Sequence, residues 1–139
     1  MEAGSHKVEC QTVKDRLLDA IGCIRDPERP STLEELGVIS EDSVTVTKTN
    51  KGYNVLVLWE PTAPHCSFAN NIGLSMIYKI KEELSDLNLK VDIILKPGSH
   101  ITKDEIDKQV NDKERVAAAF ENPLVIEMIK EVTDTLSQH

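Results

Sequence analysis

At 139 residues the chain suits one domain, long enough to bury a core without disulfide or metal staples. Apolar residues make up 40% and charged residues 29%, a soluble globular balance rather than that of a disordered chain. The formal charge of -8 argues against a generic phosphate-binding surface, which needs clustered Lys and Arg. No direct nucleic-acid partner is therefore expected, and solubility or protein partners account for the acidity.

Residues 9–137 are expected to form the domain, with 1–8 a flexible N-terminus in which Gly4-Ser5-His6 reads as a cloning remnant. From Glu9 to Ile24 the positions Cys10, Val13, Leu17, Ala20, Ile21 and Ile24 trace the apolar stripe of an amphipathic helix. Asp26-Pro27-Glu28-Arg29-Pro30 breaks it, because neither Pro nor the residue before it continues a helix comfortably. Thr32 to Leu36 reads as a short helical turn, capped by Ser31 or Thr32 and closed by Gly37.

Val44-Thr45-Val46-Thr47 alternates as a strand, Asn50-Lys51-Gly52 supplies a turn, and Tyr53 to Trp59 returns as the second arm of a hairpin. Leu56 and Leu58 make the second strand apolar on both sides, which predicts a central strand covered on both faces. Ser67 to Leu87 carries the clearest helical stripe: Ile72, Met76, Ile77, Ile80, Leu84 and Leu87. Lys90 to Lys96, ended by Pro97-Gly98, is a third strand, parallel to the second through a right-handed crossover.

The remainder is helical. Thr102 with Glu105 reads as a capping box, Asp112 caps an Ala-rich helix, and Pro123 opens a last helix with the stripe Val125, Met128, Ile129, Val132 and Leu136. The expected fold is therefore α+β, a two-layer domain with a small mixed three-stranded sheet packed with helices. The longest apolar runs, Val55 to Trp59 and Val116 to Phe120, fall far short of the roughly 20 residues that span a bilayer. No signal-peptide pattern precedes them. Cys10, Cys23 and Cys66 form neither an even set nor a C-x-x-C pair, which points to a reducing compartment.

The chemistry concentrates in Pro61-Thr62-Ala63-Pro64-His65-Cys66-Ser67, between an apolar strand and a long helix. A thiol at a helix start is favoured as thiolate by unpaired N–H groups and the helix dipole, and thiolates bind metals and attack electrophiles. Three readings of Cys66 stay open: a small buried hydrophobe, a reactive or ligating thiol, or half of a protease-like pair. The last is disfavoured, since His65 cannot easily aim its ring at the adjacent sulfur and no orienting group is evident. His65 alone reads as a loop side chain or a ligand beside Cys66. His100 follows the third strand, whose end lies on the same sheet edge as the end of the second, so it is placed near His65 and Cys66.

Cys23 reads as packing and Cys10 is open. Glu34-Glu35 and Glu82-Glu83 read as solvated helix faces, whereas Glu114 and Arg115 could support the Cys66 loop. No Gly-x-Gly-x-x-Gly, P-loop, H-E-x-x-H or zinc-finger spacing occurs. Three dispersed cysteines cannot supply four thiolates to one cluster, so a stable metal site must add His or carboxylate or share ligands between subunits.

Taken in order, Asp26-Pro27-Glu28-Arg29-Pro30, Thr32 to Leu36, Pro61 to Ser67, Ile72-Gly73-Leu74-Ser75, Pro97-Gly98-Ser99-His100, Asn111 to Ala119 and Glu121-Asn122-Pro123 carry a resemblance. The chain resembles the eukaryotic cytosolic iron–sulfur assembly targeting subunits of the MIP-eighteen type, within the domain family of SufT-like and PaaD-like proteins. The likeness runs from about Val13 to Val132. Trp59 stands where Phe is familiar, and Phe68-Ala69-Asn70-Asn71 replaces a more apolar stretch. The Asp26 to Pro30 and Ser99-His100 blocks look nearer the branch associated with iron-regulatory protein maturation.

The resemblance implies an adaptor and not an enzyme, working in the cytoplasm and the nucleus and linked to chromosome segregation. Its implied partners are a WD-repeat β-propeller protein, a HEAT-repeat adaptor, iron–sulfur apoproteins and a second copy of itself, the dimer sometimes domain-swapped. Cys66 corresponds to the family's functional thiol. The implied metal-touching set is Cys66, His65 and His100, with Ser67, Glu114 and Arg115 in support. No tightly bound cofactor is expected, only transient iron–sulfur cluster or zinc. The alternative is a structural interaction module in which Cys66 is packed and chemically silent.

Overall fold

Alternation along Tyr53–Trp59 pins the middle of the sheet: Val55, Val57 and Trp59 are sealed while the alternate residues Asn54 and Leu56 are open. The structure is a computed structural model that describes residues 2–26, 31–61, 69–98, 100 and 103–133, with side chains from Val8 onward. Strand β1 (Val44–Lys48) pairs antiparallel with β2 (Tyr53–Trp59), and β3 (Leu89–Leu95) pairs parallel with β2 on its other side. The order β1-β2-β3 makes the sheet mixed, with the expected central strand.

Helices α1 (Glu2–Gly22) and α2 (Ala69–Glu83) pack on one sheet face. Val13, Leu17 and Ile21 of α1 and Ile72, Met76 and Ile80 of α2 join Val44, Val57, Trp59, Ile93 and Leu95 in one core cluster. Helix α1 begins seven residues earlier than its apolar stripe predicts, and Ile24 packs from just beyond its end. A stripe reports only the part of a helix that has something to bury against.

Beyond α1 the chain doubles back. The Leu33 N–H donates to Ile24 O at 2.8 Å and the Asp26 N–H to Ser31 O at 3.0 Å. Thr32 and not Ser31 supplies the predicted cap. Its hydroxyl accepts from the Glu35 N–H at 3.2 Å, while the Glu35 carboxylate accepts from the Thr32 N–H at 3.0 Å. Those bonds from Thr32 hold the Glu35 carboxyl below the usual range. Glu34 and Glu35 are exposed as expected, but Glu35 serves the turn as well as facing water. Gly37, at φ +75°, ends the turn.

Three short helices complete the chain: α3 (Lys103–Asn111), α4 (Lys113–Glu121) and α5 (Pro123–Thr133). Asp112 caps α4, accepting from the Glu114 N–H at 2.9 Å and the Arg115 N–H at 3.2 Å, and Pro123 is the first residue of α5. Leu74, Val116 and Ile129 form a second apolar cluster that joins α2, α4 and α5. At the other end of α2, Arg16 forks onto both oxygens of Asp86, at 2.8 and 3.1 Å, and donates to Glu83 O. The expected Thr102 cap and Leu136 lie outside the described residues.

One expectation fails. The second strand is central but not covered on both faces, because the helices sit on one side only. Leu56 is 41% exposed, and its row-mates Thr45 and Asp92 also face outward. Apolar residues on both sides of a strand predict two covering layers, whereas a strand with an antiparallel neighbour tolerates an open face.

Gly73 sets the closeness of α2 to α3. A Cβ there would meet Val110 Cγ2 at 2.8 Å, and Val110 is a buried, β-branched side chain with little freedom to turn aside. Gly73→Ala should lower stability by about 1–2 kcal/mol, overpacking exceeding the helix-propensity gain of about 1 kcal/mol. Thermal melts of Gly73→Ala with and without Val110→Ala check this. The second change should recover part of the loss, and a raised midpoint in the single variant would contradict the clash.

Candidate functional site

The ends of β2 and β3 fix the place where the chemistry gathers. The Lys96 N–H donates to Trp59 O at 2.8 Å, so the two parallel strands leave the sheet side by side at their C-terminal ends. From there one chain passes through exposed Glu60 and buried Pro61 into residues 62–68, then returns at Ala69, which is fully buried at the start of α2. The other passes through Pro97 and Gly98, at φ +78°, to His100, which is half-buried. The topology thus sends the His65-Cys66-Ser67 segment and the His100 segment off the same sheet edge. Cys66, His65 and Ser67 themselves lie outside the described residues.

Both flanks of that segment are core. Trp59 is 1% exposed and Ala69 not at all, and Ile72 seals the turn that follows. The first turn of any helix leaves N–H groups without intrahelical acceptors and carries the positive end of the dipole. In α2 that turn also carries Asn70 and Asn71. The Asn71 amide donates to Met128 Sδ at 3.6 Å, tying the helix start to α5. Asn70 Oδ1 is shut off from solvent and, among the described residues, accepts no hydrogen bond. Sequence reasoning passed over Asn70 and Asn71 as a departure from an apolar family pattern; their polarity in a buried turn was the available signal.

Glu114 and Arg115 are exposed at the start of α4, where Asp112 binds their backbone. Arg115 Nε lies 3.7 Å from Asp112 Oδ2. It also lines a cleft of about 470 Å³ with Asp92, Ile94, Asp107, Lys108, Asn111 and Asp112, beside the open sheet face. Their relation to the Cys66 segment falls outside the described residues. Cys10 and Cys23 are half-buried free thiols on or just beyond α1, and Cys23 Sγ donates to Ala20 O at 3.3 Å, in keeping with packing. Among the described residues no three His, Cys, Asp or Glu side chains stand close enough to hold a metal ion. Nor is any described helix long and apolar enough to cross a membrane.

Known proteins place this architecture. Residues 14–88 match a family described as iron–sulfur cluster assembly protein. Protein AE7 of Arabidopsis thaliana is 50% identical over 115 residues, covering 83% of this chain and 71% of its own. MIP18 family protein FAM96A of Dictyostelium discoideum is 44% identical over 131 residues, covering 82% of this chain and 87% of its own. Cytosolic iron-sulfur assembly component 2B of Mus musculus is 41% identical over 115 residues, covering 83% and 69%. With a family match over residues 14–88 and identity of 41–50% over most of its length, the chain belongs to the MIP18 family of iron–sulfur cluster assembly proteins.

Proposed function

We propose that this protein is a non-catalytic adaptor of cytosolic iron–sulfur protein assembly, with Cys66 as its working thiol. The observation that carries the reading is that Pro61 and Ala69, which flank Pro64-His65-Cys66-Ser67 in the chain, are both buried, and that β2 ends beside β3 two residues before Pro61. Chain ends fixed in a rigid core suit a thiol that must be presented to other proteins. Relatives named as cytosolic assembly components support the cytoplasm as its place of work and assembly proteins as its partners.

The iron–sulfur cluster is cargo in this reading. His65 is the nearest second donor in sequence, and the strand geometry supports His100 as a third, reaching in from the neighbouring segment. Sharing a cluster with ligands from a partner meets the shortage of thiolates in a single chain. A β-propeller assembly protein, a HEAT-repeat adaptor and the recipient apoproteins are the proposed contacts.

Cells depleted of their own family member and supplied with this chain test the reading. Cluster loading of cytosolic apoproteins, followed by radioactive iron incorporation, should return, and the tagged protein should bring down a WD-repeat partner. A well-expressed, folded chain that restores no iron incorporation would overturn the assignment.

A further inference from the structure

A strand at the edge of a sheet exposes a row of N–H and C=O groups that another chain can pair with. Strand β3 is such an edge, with β2 on one side only. Three of its outward-pointing groups, the N–H and C=O of Ile93 and the N–H of Leu95, are nevertheless filled, and by side chains. Asn111 Oδ1 accepts from the Ile93 N–H at 2.8 Å while its Nδ2 donates to Ile93 O, also at 2.8 Å. A primary amide carries the same donor and acceptor as a peptide group, so Asn111 answers Ile93 as a residue of a neighbouring strand would.

One turn back along α3, Asp107 Oδ1 accepts from the Leu95 N–H at 2.9 Å. The supports are layered. Asn111 Nδ2 also donates to Asp107 O, and Asp107 Oδ2 holds Lys103 Nζ at 2.7 Å, an ion pair with both side chains less than a quarter exposed. The Asp107 carboxylate keeps the Lys103 ammonium protonated above its usual range. Val110 and Ile106 anchor the helix in the core.

We infer that α3 is a strap standing in for a fourth strand, closing the C-terminal half of the β3 edge to strand pairing by a second copy of this chain. The residues i and i+4 on one helix face reach backbone groups two residues apart on the strand, so a single helical turn serves both Ile93 and Leu95. Release of that turn presents Ile93 and Leu95 to an incoming β3, whose own freed groups are complementary.

The test is amide hydrogen exchange and sedimentation of the full chain, unaltered and as Asp107→Ala/Asn111→Ala. In the dilute variant the Ile93 and Leu95 amides should exchange about tenfold faster or more, the ratio expected from losing ordinary net hydrogen bonds. On concentration their protection should return together with a species of added mass. Amides that stay slow at every concentration would show that the edge needs no strap. Fast exchange with no association would show that the freed edge accepts no strand. If the double variant does not fold, the unaltered protein decides. Ile93 and Leu95 should open together with the α3 amides, and protection of the two strand amides while α3 exchanges freely would refute the strap.

Discussion

Trp59→Ala should remove a large share of the stability margin of this protein. The indole is 1% exposed at the end of β2, in the cluster that holds β3 and both sheet-covering helices, and its carbonyl anchors Lys96. Truncating a buried aromatic costs about 3–5 kcal/mol, as transfer energy is lost and a cavity stays behind. Against a total of about 5–15 kcal/mol for a typical domain, that loss runs from about a fifth of the margin to all of it. The midpoint of thermal unfolding should fall by more than about 10 °C. Trp59→Phe, which keeps an apolar ring, should recover more than half of the difference. Circular dichroism melts decide, and an alanine variant melting within about 3 °C of the parent would mean that the cavity closes.

Cys66→Ala should have the opposite profile, a large functional loss with little change in stability. A thiol that works by being presented to other proteins, as proposed for Cys66, contributes little packing, so the melt should stay within about 0.5 kcal/mol. Delivery of clusters to apoproteins should fall to the level of cells lacking the protein. Cys66→Ser should not restore it, because an alkoxide is not available at neutral pH whereas a thiolate is. Native-state alkylation adds an independent reading. Labelling of Cys66 at the rate of an accessible thiol supports a chemical role, while labelling only after denaturation, with full activity in Cys66→Ala, would leave an interaction module. Cys10 and Cys23 are half-buried and serve as internal references in the same experiment.

Much of this fold was legible because its signals are local. Asp112 announces the start of α4, Pro123 that of α5, and Asn50-Lys51-Gly52 the hairpin, each through a constraint on a few adjacent bonds. The open sheet face was not legible. Leu56 is the same residue inside or outside, and only the number of covering layers decides its exposure. Asp107 and Asn111 were equally silent, since polar side chains on a helix carry no mark of a strand twelve or eighteen residues away. For the candidate site, the residue types in Pro64-His65-Cys66-Ser67 and their family likeness were readable. The sealed anchors on either side, and the buried amide oxygen of Asn70, depend on contacts that no spacing rule encodes.

Trp59, Pro61 and Ala69 are all buried, so both described ends of the stretch 62–68 belong to the interior. A substitution at any of these three positions is therefore felt by the close-packed body of the domain as well as by the stretch they bracket, and hinge-like freedom at those two junctions is ruled out by the packing itself.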